Sequence, residues 1–443
     1  MYNIVDLLKK KRLGEELSWE EIEFFIKNIK SGGIREAQIG AMLMAFQMSG
    51  LTDVEVELLM KAMLFSGERL SWPADWDKSL VSIQSTGTTG NKAKVILAPT
   101  LAACGIKCPI LSARGVVNVG GILGKLVTVP GFTGAYTFDE IKKLLSDIGC
   151  CVVQQPQDVA PAEREVRDTA SIIGAFHNNS IKAACLIARV TAMHLHADVI
   201  EIVCGPSESL KTREEGNDLV AKIRDLSRMM GVRCQVLLTH VNGPVGKMIG
   251  QSLEIQEAIW CLNGEGPPDL FELVCTIGGH ALHVAGKADS YEKGQKMAAH
   301  AIKTGSAKKK FMDMLHAQGV SKQNVKDLFK HRKIESGLSP VLPVAHYFTH
   351  LSAEHTGFVH NLNLTTLNEI MHELVRRGTT NSACVGGIQL LVQVGSYLNR
   401  GEVWAKIHHH VKLDEDQTNK LNTAITLRLD PPLYDMTIDV KEQ

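Results

Sequence analysis

One stretch near residue 80 constrains the fold of this chain more than any other. Leu80-Val81-Ser82-Ile83 reads as a short apolar strand that runs into Ser85-Thr86-Gly87-Thr88-Thr89-Gly90, a glycine-rich turn. A helical stretch follows to Ala103, and then a second short strand, Pro109-Ile110-Leu111-Ser112. Strand, glycine turn, helix and strand make a βαβ unit with a glycine-rich first turn. The alternation continues through Cys151-Val152-Val153, Asp198-Val199-Ile200-Glu201-Ile202-Val203 and the run 232–239. Between the last two, Leu219, Ile223, Leu226 and Met230 form a helical stripe. Strands separated by helices predict a mainly parallel sheet, and such sheets bind their ligands beyond the carboxyl ends of the strands.

The flanks have a different texture. Ser18 followed by Glu21 is a capping-box signature, and Ile22, Phe25, Ile26 and Ile29 recur at the spacing of one helix face. Two further helical patterns run over 36–48 and 54–65, and the composition changes at Ser71-Trp72-Pro73. From about residue 342 short β-like runs appear, over 387–394 and 403–407. The chain therefore predicts an α/β protein with a small helical lobe, a large mixed α/β lobe and a β-rich C-terminal appendage.

Composition narrows the function. Lysine and arginine total 48, as do aspartate and glutamate, so no surplus charge draws the chain to nucleic acid or anionic lipid. Neither nucleic acid nor a membrane is expected as a partner. The first residues lack a basic and then apolar leader pattern, and the charge-free run 378–399 carries Asn381, Ser382, Gln389 and Gln393, so a cytoplasmic protein is expected. The 10 cysteines include no CxxC spacing and read as reduced core thiols. His408-His409-His410 lies on a predicted strand, where neighbours point to opposite faces, so no metal is expected there.

Chemistry is sought at the glycine turn and at a second glycine cluster, Ser112-Ala113-Arg114-Gly115-Val116-Val117-Asn118-Val119-Gly120-Gly121-Ile122-Leu123-Gly124-Lys125. A glycine turn at a helix N-terminus suits an anion such as phosphate. The spacing of Gly87 and Gly90, with a following strand that ends in Ser112, does not match a dinucleotide fingerprint, and no cofactor is expected.

On these segments the chain resembles the pyrimidine nucleoside phosphorylases, the thymidine phosphorylases in particular. Leu101-Ala102-Ala103-Cys104-Gly105, Val129-Pro130-Gly131-Phe132, Ala160-Pro161-Ala162, Arg167-Asp168 and Asn263-Gly264-Glu265-Gly266-Pro267-Pro268-Asp269-Leu270 carry the likeness further. The resemblance implies the nucleoside phosphorylase class II fold, with a helical lobe from 1–70 and 158–194, an α/β lobe from 78–157 and 195–341, and a C-terminal part over 342–443. It also implies a homodimer formed through the helical lobe, for which Ile39, Met42 and Phe46 are candidates. The reaction implied is reversible phosphorolysis, with phosphate on the large lobe and the pyrimidine mainly on the small one.

Residue by residue, the family's K-H-S-T-G-G-V-G-D corresponds to Ile83-Gln84-Ser85-Thr86-Gly87-Thr88-Thr89-Gly90-Asn91. Ile83 replaces the phosphate-binding lysine, and Gln84 replaces the histidine that faces the pyrimidine. An isoleucine cannot neutralise a dianion and a glutamine cannot act as an acid. Ser85 and Ser112 are retained for phosphate, Lys94 stands where the family has a phosphate-binding serine, and Ile122 replaces a phosphate-binding threonine. Arg167 matches the base-binding arginine, while Cys185 and Arg189 take the places of a serine and a lysine after a lengthening near His177-Asn178-Asn179.

With Ile83, Val117, Val119 and Ile122 all apolar where the family is polar or small, the expectation is lost phosphorolysis and a binding or carrier role for a small apolar molecule in the old cleft, oriented by Arg167 and Arg189. The alternative is an active pyrimidine nucleoside phosphorylase with altered substrate preference, using Lys92 or Lys94 for the anion. A third reading is another transfer on a phosphorylated sugar, as in the related anthranilate phosphoribosyltransferases.

Overall fold

The computed structural model describes residues 2–87, 91–112, 121–330, 339–377, 386–432 and 437–441. Four helices open the chain: α1 (Ile4–Arg12), α2 (Trp19–Ser31), α3 (Glu36–Ser49) and α4 (Asp53–Leu64). Their ends follow local chemistry. Ser18 and Glu21 form the reciprocal cap at the start of α2, Thr52 and Glu55 do the same for α4, and Gly32 ends α2 at φ 71°. The α2 stripe Ile22, Phe25, Ile26 and Ile29 is buried. Inside the bundle, Glu55 accepts from Lys11 Nζ at 2.7 Å and from the Leu17 N–H at 2.9 Å, an ion pair that ties α1 to α4.

The α/β layers follow: β1 (Val81–Ser85), α5 (Ala93–Ala103), β2 (Cys108–Ser112), α6 (Ile122–Leu126), α7 (Phe138–Asp147) and β3 (Cys150–Gln154). The chain then returns to the helical bundle. Helices α8 (Pro161–Ile172) and α9 (Asn179–Met193) pack on α2, α3 and α4. It leaves again into β4 (Ala197–Cys204), α10 (Arg213–Met230), β5 (Cys234–His240) and β6 (Met248–Ile249). Helices α11 (Gln251–Leu262), α12 (Pro268–Val284), α13 (Tyr291–Lys303), α14 (Ser306–Ala317) and α15 (Lys322–Leu328) follow, with α12 packed on β4 and β5 and the others layered around α12 and α5. The C-terminal part holds β7 (Tyr347–Ser352), β8 (Gly357–Leu362), α16 (Leu364–Arg377), β9 (Gly387–Leu390), β10 (Tyr397–Leu398), β11 (Val403–His409), α17 (Glu415–Asn422), β12 (Ile425–Arg428) and β13 (Thr437–Lys441).

The main sheet has the order β1-β4-β5-β13, with β1, β4 and β5 parallel and β13 antiparallel on the edge. A separate parallel pair joins β2 to β3, and two further sheets, β6-β9-β11-β7 and β10-β8-β12, are antiparallel. The expected α/β class with parallel strands and a helical N-terminal part is what the structure shows. Alternation along β1 and β4 divides the core. Ile200 and Ile202 join one cluster with the helical bundle and α10, whereas Ile83, Val199 and Val203 join another with α5, α11 and α12.

Two sequence expectations need adjustment. Ile39, Met42 and Phe46 do not present a surface: they are 3%, 0% and 0% exposed and fill the bundle's own core. The run 387–394 forms strand only over Gly387–Leu390. Of the three histidines, His409 bonds Thr349 Oγ1 at 2.9 Å, His410 meets His346 at 2.6 Å, and His408 is buried. Among the described residues, no three histidine, cysteine or acidic side chains are grouped to hold a metal, and no helix is long and apolar enough to cross a membrane.

Candidate functional site

The carboxyl ends of β1 and β4 meet the helical bundle, and the side chains there divide by strand face. In register, Ser82 pairs with Asp198, Ile83 with Val199, Gln84 with Ile200 and Ser85 with Glu201. Ser85 lies at the strand end, where its Oγ accepts the Gly87 N–H at 3.2 Å. Gly87 is needed for close approach, because a Cβ there would lie 2.5 Å from Val203 Cγ2. Thr86 and Val203 fasten the turn to β4 through Val203 N–H to Thr86 Oγ1 at 3.0 Å.

Lys92 and Lys94 follow the turn and have different surroundings. Lys92 is 3% exposed, and its ammonium donates to Glu257 Oε2 at 2.6 Å and to the Met248 carbonyl at 2.6 Å. It is committed to holding α5 against α11 and β6, so the anion role weighed for it is corrected. Lys94 lies in the first turn of α5, and its ammonium has no hydrogen bond or ion pair among the described residues. Burial lowers it to about 8, with Arg189 and Lys125 acting in the same direction and Glu201 opposing them. Glu201 is 2% exposed, and burial raises it, partly offset by the Ser85 hydroxyl and Lys94. Ser112 stands at the end of β2, and Lys125 pairs with Glu254 at 3.3 Å.

The opposite wall comes from α8 and α9. Arg167 donates to Glu163 Oε1 at 2.8 Å and Oε2 at 3.1 Å, which aims it along α8. Arg189 sits 3.5 Å from the same carboxylate and donates to Gln84 Oε1 at 3.3 Å, so one hydrogen bond spans from the bundle to the sheet. Gln84 is 5% exposed, and its Nε2 donates to Ser82 Oγ at 3.2 Å. Cys185 is buried against Met63 Sδ at 3.9 Å, and burial raises its thiol well above the usual range.

The structure joins Gln84 to Arg189 by a hydrogen bond, Arg189 and Arg167 through the Glu163 carboxylate with Cys185 in electrostatic reach of both, and Ser85 and Lys94 through Glu201. Ile83 and Ile122 are 1% and 5% exposed and belong to the core cluster around α5. Val117 and Val119 lie outside the described residues, as do Thr88, Thr89 and Gly90 of the turn. Sequence reasoning missed Glu163, Asp198 and Glu201. The signal for the last two was present, because acids inside an apolar strand run must be hydrogen-bonded or paired.

With this geometry in place, comparison with known proteins is informative. The helical bundle domain of a glycosyl transferase family matches residues 5–67, and the α/β domain of that family matches residues 77–308. Thymidine phosphorylase of Homo sapiens is 34% identical over 427 residues, covering 95% of this chain and 88% of that protein. A pyrimidine-nucleoside phosphorylase of Geobacillus stearothermophilus is 29% identical over 431 residues, covering 97% of each. Anthranilate phosphoribosyltransferase from Thermus thermophilus shares the fold, with a TM-score of 0.55 at 17% identity over 70% of this chain and 98% of that one.

These findings correct the carrier reading. The relatives that span nearly the whole chain are named as phosphorylases, and nothing in them signals lost activity. Two of the four residues named for an apolar cleft, Ile83 and Ile122, are packed into the core around α5.

Proposed function

The chain belongs to the glycosyl transferase family whose helical bundle and α/β domains it carries, and from that membership we propose that it is a working pyrimidine nucleoside phosphorylase with altered substrate preference. It would convert thymidine or uridine and phosphate into the free base and a pentose 1-phosphate. A two-fold homodimer through the helical bundle is part of the same reading.

The observation that carries it is Lys94. A half-buried ammonium with no anionic partner at bonding distance among the described residues is costly unless a ligand supplies the charge, and a phosphate dianion does so. Ser85 and Ser112, on the neighbouring strand ends, add hydroxyl donors.

Chemistry then requires little beyond position and charge. A phosphate oxygen bonds to the anomeric carbon as the bond from that carbon to the pyrimidine nitrogen breaks, and the electron pair departs with the base. Arg167 and Arg189 offer donors to the oxygens on which that charge collects. The proton given up by hydrogen phosphate balances the one taken up by the base, so Gln84 does not have to be an acid.

The test is base release from thymidine and uridine with phosphate. Turnover is expected with at least one of them, and Lys94→Ala should raise the KM for phosphate roughly tenfold or more, the scale of a lost charge-assisted contact. Absence of base release from both nucleosides at enzyme concentrations equal to substrate would end this reading.

A further inference from the structure

Asp198 is the buried acid that the proposed reaction leaves unused. It is 1% exposed, near the start of β4, and its Oδ1 has no hydrogen-bond partner among the described residues. Arg189 presents the complementary vacancy, since its Nε, also buried, has no partner among those residues. Between them stands Gln84, which accepts from Arg189 Nη2 at 3.3 Å and whose amide also stabilises the Asp198 carboxylate. A donor and an acceptor, both buried, both unsatisfied and both against one amide, make an incomplete bridge.

The backbone between them shows how it could be completed. Arg189 and Asp198 flank His194, which ends α9 in the left-handed region at φ 49° and ψ 50°. Among the described residues the other non-glycine residue with positive φ is Ala160, at φ 42°, where the chain enters α8. The two residues in this costly conformation thus mark both ends of the α8–α9 passage through the bundle. Any change of angle at His194 moves Arg189 relative to Asp198.

We propose that Asp198 is a positioning residue for the base site, taking the Arg189 Nε–H on its free oxygen when substrate is bound, so that the terminal guanidinium nitrogens are held toward the pyrimidine. Burial lifts Asp198 to about 8 even with the Arg189 guanidinium within electrostatic reach, so the carboxyl is largely protonated at neutral pH until the guanidinium closes on it. Arginine suits this role where lysine does not, because its fork offers one nitrogen to Asp198 and others to the base. Arg189 and Gln84 are both substitutions relative to the family pattern, and Asp198 is what joins them.

This rests on the phosphorylase reading, and its test is a cycle of Asp198→Leu, Asp198→Asn and Arg189→Lys assayed with uridine, thymidine and phosphate. Asp198→Leu is expected to raise the KM for nucleoside roughly tenfold while the KM for phosphate stays within about twofold. Asp198→Asn, which keeps an acceptor, should recover part of the loss. In the Arg189→Lys background, which keeps a cation but removes the Nε–H, Asp198→Leu should add less than about twofold. Equal losses in both KM values, or a full effect of Asp198→Leu in that background, would overturn the proposal. Where Asp198→Leu does not fold, the Asp198→Asn and Arg189→Lys cycle decides by the same coupling. A wild-type protein that releases no base defeats the phosphorylase reading separately. Calorimetry with uracil and thymine then tests the pair alone, with unchanged base affinity in Asp198→Asn counting against it.

Discussion

At the scale of single residues, a charge has changed sides within one layer of the fold. The family places its lysine at the strand position that is Ile83 here and a serine at the helix position that is Lys94. Ile83 faces the α5 layer, and Lys94 belongs to α5 itself, so strand and helix address the same space from opposite walls. On the proposed reading the exchange keeps one cation in the site, half-buried in the first turn of α5, and both it and Ser85 act on Glu201. Because burial lowers Lys94 to about 8, the ammonium is charged below that pH and neutral above it. For phosphate, kcat/KM reports the free enzyme and should fall as pH rises through about 8, approaching tenfold per pH unit. Lys94→Arg, which stays protonated, should remove that limb from the profile. A wild-type profile flat to pH 10 would place the anion elsewhere.

At the scale of elements, a buried ion pair ties the first helix of the bundle to the fourth. Lys11 and Glu55 are 2% and 0% exposed, and the carboxylate also accepts the N–H groups of Leu17 and Thr52 at 2.9 Å. Removing one partner leaves a buried charge, so Glu55→Ala should destabilise the bundle by about 3–5 kcal/mol in urea unfolding. Lys11→Met combined with Glu55→Leu should cost far less. An additive double variant would show that the charges act independently.

The same bundle shows what could be read in advance. Helices α2 and α4 were legible because cap and stripe agree, and β1, α5 and β2 because the glycine turn separates strand from helix. Helix α3 was legible as a helix but its faces were not, since Ile39, Met42 and Phe46 belong to a helix that is apolar on nearly every side, where periodicity cannot tell inner from outer face. Strand β13 was missed because its partner β5 lies far away in sequence. In the site, Lys92 and Lys94 looked equivalent because Glu257, which claims Lys92, is contributed by α11. Asp198 and Glu201 passed as part of an apolar strand because sequence shows the run and not the neighbours of its acids.

At the scale of the whole molecule, the helix that misled the reading supplies the next argument. With Ile39, Met42 and Phe46 directed inward, the outer face of α3 carries Ala37, Ala41, Met44 and Met48, all exposed at the spacing of one stripe, with Met44 at 38% and Met48 at 78%. Val5 of the adjacent α1 is 45% exposed and extends the patch. Methionine and alanine on an outward stripe suit a flat, close helix contact, and a two-fold axis through α3 would lay the stripe on its own copy. A stable pair needs about 800 Å² from each subunit, more than one stripe supplies, so α1 must take part. Sedimentation at micromolar concentration should therefore show a dimer, and Met44→Glu with Met48→Glu should convert it to a monomer with the bundle still folded by circular dichroism. A wild-type monomer would remove the homodimer from the proposed function. A dimer that survives both glutamates would move the axis to another face.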